Sequence, residues 1–271
     1  MTEIRVSSPG DHDEADMKAA AAVTDRGLRH ARNEDAYALA REGEHFAAVV
    51  CDGVSSSANP DLAAGTAAGA MIEVLATVLA REQWPPKDIL VPVIRQAVEA
   101  GANAVAGVAV SERGAPPATT AVAALVGPGL AVLSGVGDSR VYWLDPEPRA
   151  SRRLTVDDSW AEAAVELGVP AEAAYAAPGA HIVTQWLGPG VTELAPRVVV
   201  VDIESPGTLV ACSDGLWNYF ESAEALSALA AGAPTSKPLD LARHFTRAAI
   251  EAGGADNITV AVISVGTAEP D

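Results

Sequence analysis

The chain has 271 residues, 49% of them hydrophobic but only 4% aromatic, and a formal net charge of −18. Length and apolar share suffice for a sizeable core, which small side chains must largely fill. The acidity excludes general affinity for nucleic acid and disfavours an anionic membrane surface, because both interactions need a basic face.

Residues 1–18 are polar and acidic and are expected to form a disordered arm. They carry no apolar leader, so a cytoplasmic setting is expected. The run AAAAV at 19–23 opens an ordered region, and AYALA and HFAAVVC around REGE at 41–44 read as an antiparallel hairpin. Helical spacing of Met71, Val74, Leu75, Val78 and Leu79 predicts a helix from Asp61 to Trp84, stopped by Pro85–Pro86. A second helix is expected from Lys87 to about Arg113, with Ile89, Leu90, Val93, Ile94, Val98 and Val105 facing the core. TTAVAALV, LAVLSGVG and RVYWL then read as strands, joined by connections too short for a crossover. Residues 156–180 are helical and loop-like. RVVVVDI, TLVACS and ITVAVISVG complete the strands, with helices around 221–231 and 238–252 between the last two. Long helices between sets of antiparallel strands predict an α+β chain with a single domain over 19–266 and a tail at 267–271. Apart from the run 62–72, interrupted by Thr66 and followed by Glu73, no stretch approaches the roughly 18 apolar residues that cross a bilayer. Cys51 and Cys212 lie in apolar β-like runs and read as buried, reduced thiols.

The informative feature is where the aspartates fall. VVCDG puts Asp52 directly after an apolar strand with Gly53 next, VLSGVGDSR does the same with Asp138, and LVACSDGLW with Asp214 and Gly215. ADNITVAVISV places Asp256 just before a strand. Each Asp-Gly alone reads as turn chemistry. Four strand-end carboxylates gathered at one end of a sheet would repel one another, and a cation would relieve that repulsion. No zinc-type Cys or His spacing occurs, and an all-oxygen set suits Mg²⁺ or Mn²⁺. Two such ions about 3.5–4 Å apart can share a water and acidify it for in-line attack on phosphorus. RNEDA adds Glu34 and Asp35 just before the first hairpin strand, after a loop holding Arg26, Arg29, His30 and Arg32. A basic–acidic run of this kind is usually a solvated turn, yet it offers carboxylate for metal and guanidinium for phosphate oxygens.

Six segments in order, TDRGLRHARNEDAYA, VVCDGVSSS, TTAVAALV, LSGVGDSRVYWL, LVACSDGLW and GGADNITVAVI, resemble the protein phosphatase 2C-like, metal-dependent protein Ser/Thr phosphatases of bacterial type, catalytic domain only. The resemblance covers about residues 20–265. It implies a central β-sandwich of two antiparallel sheets flanked by pairs of helices, and a binuclear Mn²⁺/Mg²⁺ centre. On the matching positions it implies that Asp52 bridges the ions, Gly53 offers its carbonyl, and Asp214 and Asp256 bind the first metal. Asp35, with Glu34 beside it, would serve the second, and Asp138 with Asp214 a weaker third. Residues 156–180 take the place of the family's flap, begun by LTVDDS and ended by VTQWLG. The implied activity is one-step hydrolysis of phosphoserine and phosphothreonine in proteins, opposing a bacterial Ser/Thr kinase.

The chain also departs from the family pattern. Where the family carries a phosphate-binding Arg, five residues before Asp35, stands His30, flanked by Arg29 and Arg32 as alternative phosphate contacts. Ala118 replaces a common Gly, and Asp158 a frequent flap His. A cysteine-nucleophile mechanism is disfavoured, because Cys212 is followed at the sixth position by Asn218 rather than Arg. The competing expectation is a catalytically weak regulator that binds phosphoprotein or a kinase on the same fold.

Overall fold

The structure, a computed structural model, describes residues 1–109, 115–191 and 194–266. Strands buried on both faces need apolar residues at every position, and the near-continuous apolar runs here form such strands. One sheet runs in the order β1 (Glu3–Val6), β4 (Asp35–Glu42), β5 (His45–Asp52), β6 (Ala121–Gly127), β7 (Leu130–Val136), β10 (Arg197–Asp202). The second runs β2 (His12–Asp16), β3 (Ala20–Asp25), β12 (Ile258–Val265), β11 (Gly207–Cys212), β8 (Arg140–Leu144), β9 (Arg152–Arg153). Neighbouring strands are antiparallel throughout.

The two-residue period sorts side chains into layers. On β4 and β5, Tyr37, Leu39, Phe46, Ala48 and Val50 meet Leu209, Ala211, Ala261 and Ile263 of the other sheet in the central core. Their alternates, Ala36, Ala38, Ala40, Ala47, Val49 and Cys51, face α1 (Pro60–Leu79) and α2 (Lys87–Ala106). Beyond the second sheet, Val210, Cys212, Val260 and Val262 pack against α5 (Asp214–Trp217), α6 (Ala223–Ala231) and α7 (Pro238–Ala252). The result is the α-β-β-α sandwich expected of the resemblance. Alanine on the helix-facing side of β4 and β5 meets Ala63, Ala64, Ala67 and Ala68 of α1, which accounts for the alanine-rich composition. Both free cysteines are buried, on opposite sides of the sandwich, and burial raises both thiols above their ordinary range.

Several expectations need correction. Residues 1–18 are not a disordered arm, because β1 adds to β4 and β2 to β3. Their polarity reflects outer strands with solvated side chains. They are tied down by Tyr37 Oη donating to Asp13 at 2.5 Å and by an ion pair between Arg243 and Glu14. The first helix ends at Leu79 rather than Trp84, with Ala80 at its C-terminal cap, and the Trp84 indole instead lies over Gly127. On α2, Ile89 points outward. That helix is assigned to Ala106; its expected continuation through 110–113 lies outside the described residues, as does the tail at 267–271. By length and composition both α1 and α2 could cross a membrane, but here their apolar faces are occupied in packing on the first sheet. Residues 156–180 fold as α3 (Trp160–Glu166) and α4 (Ala171–Tyr175) around a small cluster of Ala161, Ala164, Ala174 and Ala180.

Candidate active site

Antiparallel pairing decides which aspartates meet. β4 starts where β5 ends, so Asp35 and Asp52 are register partners. In the second sheet β11 ends beside the start of β12, which brings Asp214, the first residue of α5, near Asp256. Asp138 lies in the turn between β7 and β8. Five carboxylates from both sheets therefore face one end of the sandwich, and their mutual fields show it. Burial first, then the charges of Asp35, Asp214, Asp138 and Asp256, hold the Asp52 carboxyl well above its ordinary range. Burial, then Asp214 and Asp256, push Asp35 up to about 8 despite the hydrogen bonds it accepts from Ser213 and Thr259. Burial and Asp214 raise Asp138 to about 7, while burial and Asp256 raise Asp214 to about 6.

The glycines next to these aspartates are required by close backbone approach. A Cβ on Gly53 would overlap the Pro60 carbonyl oxygen, and one on Gly215 would overlap that of Asn257. Gly53 N–H donates to the Glu34 carbonyl at 3.0 Å, and the Asp52 carbonyl accepts from Thr120 N–H and Thr119 Oγ1, both at 2.8 Å. The backbone on either side of Asp52 is thereby fixed.

The cluster fits a hard divalent cation. Its donors are oxygens, and Asp35 Oδ1 and Asp214 Oδ1 are buried without a hydrogen-bond partner. Such orphaned acceptors, in carboxyls that repel one another, are what bound cations would satisfy. Among the described residues no three His, Cys, Asp or Glu side chains close on a single point, so the carboxylates line a cradle rather than a finished cage.

The basic loop is divided in its roles. His30 reaches the cluster, with Nε2 3.1 Å from Asp256 Oδ1. Arg29 is exposed beside it. Arg32 is engaged elsewhere, its Nε donating to Glu34 Oε1 at 3.0 Å and Nη1 lying 3.6 Å from Asp61. Glu34, expected beside Asp35 at the second ion, has a carboxylate already engaged by neighbouring side chains. It accepts from Arg32 and from Ser55 Oγ at 2.6 Å.

Sequence reasoning missed the residues that hold the cluster. Ser213 Oγ donates to Asp35 Oδ2 at 2.7 Å and accepts from Thr259 N–H at 2.9 Å, tying one sheet's aspartate to the other sheet. Asn257 latches the basic loop, since its Nδ2 donates to the carbonyls of Arg26 and Arg32 and its Oδ1 accepts from Glu34 N–H. Asn218 Nδ2 donates to Asp214 Oδ2 at 3.1 Å. Ser213 and Asn257 each adjoin a singled-out aspartate, and that adjacency was the only available signal. Asp158, at the flap-His position, accepts from Gly137 N–H and Arg197 and so fastens residues 154–159 to the β7–β8 turn.

Residues 26–246 match the family described as Protein phosphatase 2C. The chain belongs to that family. Its members are metal-dependent, in keeping with the unsatisfied carboxylates. The serine/threonine phosphatase stp of Listeria innocua is 35% identical over 147 residues, which is 54% of this chain and 56% of the relative. The protein phosphatase PhpP of Streptococcus pneumoniae is 33% identical over 136 residues, 50% and 53% of the two chains. The matched region thus spans about half the length of these curated relatives. The solved structure of the Mycobacterium tuberculosis serine/threonine phosphatase PstP/Ppp superposes with a TM-score of 0.71 at 27% identity, covering 92% of this chain and 98% of that one. Serine/threonine phosphatase Stp1 from Staphylococcus aureus gives 0.76 at 23% identity, covering 93% and 97%, a likeness of fold.

Proposed function

We propose that this phosphatase 2C chain hydrolyses phosphoserine and phosphothreonine in proteins, in the cytoplasm and in opposition to a bacterial Ser/Thr kinase. The observation that carries the proposal is the cluster of buried and partly buried aspartates, with orphaned oxygens on Asp35 and Asp214, drawn from both sheets to one end of the sandwich. Both curated relatives above are named as phosphatases. Two ions, Mn²⁺ or Mg²⁺, would supply an acidified water as nucleophile and reverse the negative field that an anionic substrate meets. Asp52 would be shared between them, with Asp214 and Asp256 on one side, Asp35 on the other, the Gly53 carbonyl as a further donor, and Asp138 with Asp214 for a weaker third ion.

The remaining work falls to this chain's own groups. Asn218 and Ser213 aim Asp214 and Asp35. His30, beside Asp256, would receive phosphate oxygens with the exposed Arg29 next to it in the chain, whereas Arg32 is engaged with Glu34.

The test is turnover of p-nitrophenyl phosphate and a phosphothreonine peptide with Mn²⁺, Mg²⁺ or EDTA. Metal-dependent turnover that falls at least about 100-fold in Asp52→Asn and Asp214→Asn is expected, roughly the loss of one essential electrostatic group. Turnover unaffected by EDTA or by these substitutions would sink the proposal. The second reading, a catalytically weak regulator, is favoured only by His30 at the Arg position, and tight phosphopeptide binding without turnover is its signature.

A further inference from the structure

Arg140 opens β8 with a fully buried side chain, a costly place for a guanidinium unless every part of it is engaged. Its Nε lies 3.0 and 3.1 Å from the two oxygens of Asp157, and Nη2 lies 2.6 Å from Asp157 Oδ2. Nη1 reaches Tyr142 Oη at 3.3 Å and Glu221 at 3.6 Å. The guanidinium plane stacks 3.6 Å from the Trp217 ring centroid, and the Trp217 indole N–H donates to the Asp138 carbonyl at 2.9 Å. One buried side chain thereby joins three pieces of chain. These are the residues leading into 156–180 through Asp157, the one-turn helix carrying Asp214 through Trp217, and the turn carrying Asp138.

The same junction is stitched by backbone. Asp158 N–H donates to the Gly137 carbonyl at 2.7 Å, and Gly137 N–H donates back to Asp158 Oδ2 at 3.1 Å. Leu154 N–H donates to the Val141 carbonyl, and Val141 N–H to Thr155 Oγ1. Residues 154–158 therefore pair with 137–141, on both sides of Asp138.

We infer that Arg140 is a positioning residue that makes the base of the 156–180 segment, Asp138 and the Asp214 helix one mechanical unit, so that cation binding at the Asp138–Asp214 face orders that segment. The inference rests on the proposed cation-dependent function, but its readout needs no turnover. Amide hydrogen exchange over residues 160–182 is measured with and without Mn²⁺ in the full chain, alongside Mn²⁺ binding by calorimetry. In the unsubstituted protein Mn²⁺ slows exchange over 160–182. In Arg140→Lys and Asp157→Asn those amides exchange at least about tenfold faster without metal and lose the Mn²⁺ response, while β5, β11 and β12 keep their protection. In Trp217→Phe the stacked ring stays and the indole N–H is lost, so Mn²⁺ affinity falls while metal-free protection over 160–182 stays. That variant carries the test if the charged pair proves essential to folding. A Mn²⁺ response absent from the unsubstituted protein, intact in Arg140→Lys or Asp157→Asn, or accompanied by unaltered affinity in Trp217→Phe overturns the inference. Loss of turnover with the exchange pattern intact would instead count against the proposed phosphatase activity alone.

Discussion

At the scale of single residues, His30 is the departure from the family's pattern that bears most directly on phosphate. Its Nε2 sits beside Asp256, at the cluster's mouth, so the position can meet a phosphate there. His30→Arg would place a forked, permanently charged guanidinium there, and a charge-assisted bond gains about 1.5–3 kcal/mol. The Michaelis constant for a phosphothreonine peptide should fall at least about tenfold. An unchanged constant would remove position 30 from the phosphate site. Gly215 is a second informative residue, because a Cβ there meets the Asn257 carbonyl rather than a yielding side chain. Gly215→Ala should cost about 1–3 kcal/mol by overpacking, read as a lower urea midpoint with unchanged slope.

At the scale of elements, the decisive contact is between a loop and a strand start. Asn257, just before β12, holds the 26–34 loop through two carbonyls and one N–H. Asn257→Ala removes all three bonds and leaves buried polar groups unpaired, at a cost of about 2–4 kcal/mol. Because that loop carries Arg29 and His30, the Michaelis constant should rise along with the loss of stability in urea titration. A loss of stability with no change in the Michaelis constant would show that the loop keeps its place without the latch. Glu34 teaches the same lesson in reverse. It neighbours Asp35 in sequence, yet its carboxylate is engaged by Arg32 and Ser55 rather than by Ser213, which holds Asp35.

At the scale of the whole molecule, the sandwich concentrates like charge at one end, and stability should record it. Asp35, Asp52, Asp138 and Asp214 all have folded-state values raised above the ordinary carboxylate value near 4. The folded state therefore holds protons that the unfolded chain has released. The stability these groups contribute is fully present below about pH 4 and is lost as pH rises through about 6 to 8. Each unit of upward shift realised in solution corresponds to about 1.4 kcal/mol lost once the group ionises. Metal-free protein should accordingly melt at a lower temperature at pH 8 than at pH 5.5, and added Mn²⁺ should restore more at pH 8. A melting temperature of EDTA-treated protein that is flat or rises over this range would contradict the clustering of these carboxylates.

The sequence by itself determined most of the strands, most of the helical faces and the aspartates at strand ends, because two-residue and helical periodicities and Asp-Gly turns are local properties of the chain. It misjudged residues 1–18 because outer strands such as β1 and β2 owe their order to partners, β4 and β3, that are far along the chain. Only the tertiary structure decided that Asp35 and Asp52 pair across one sheet while Ser213 of the other holds Asp35. It alone revealed Arg140 as a buried link between Asp157 and Trp217. Which side chains surround a charge depends on register and on sheets meeting face to face, and neither is written in the spacing of any one segment.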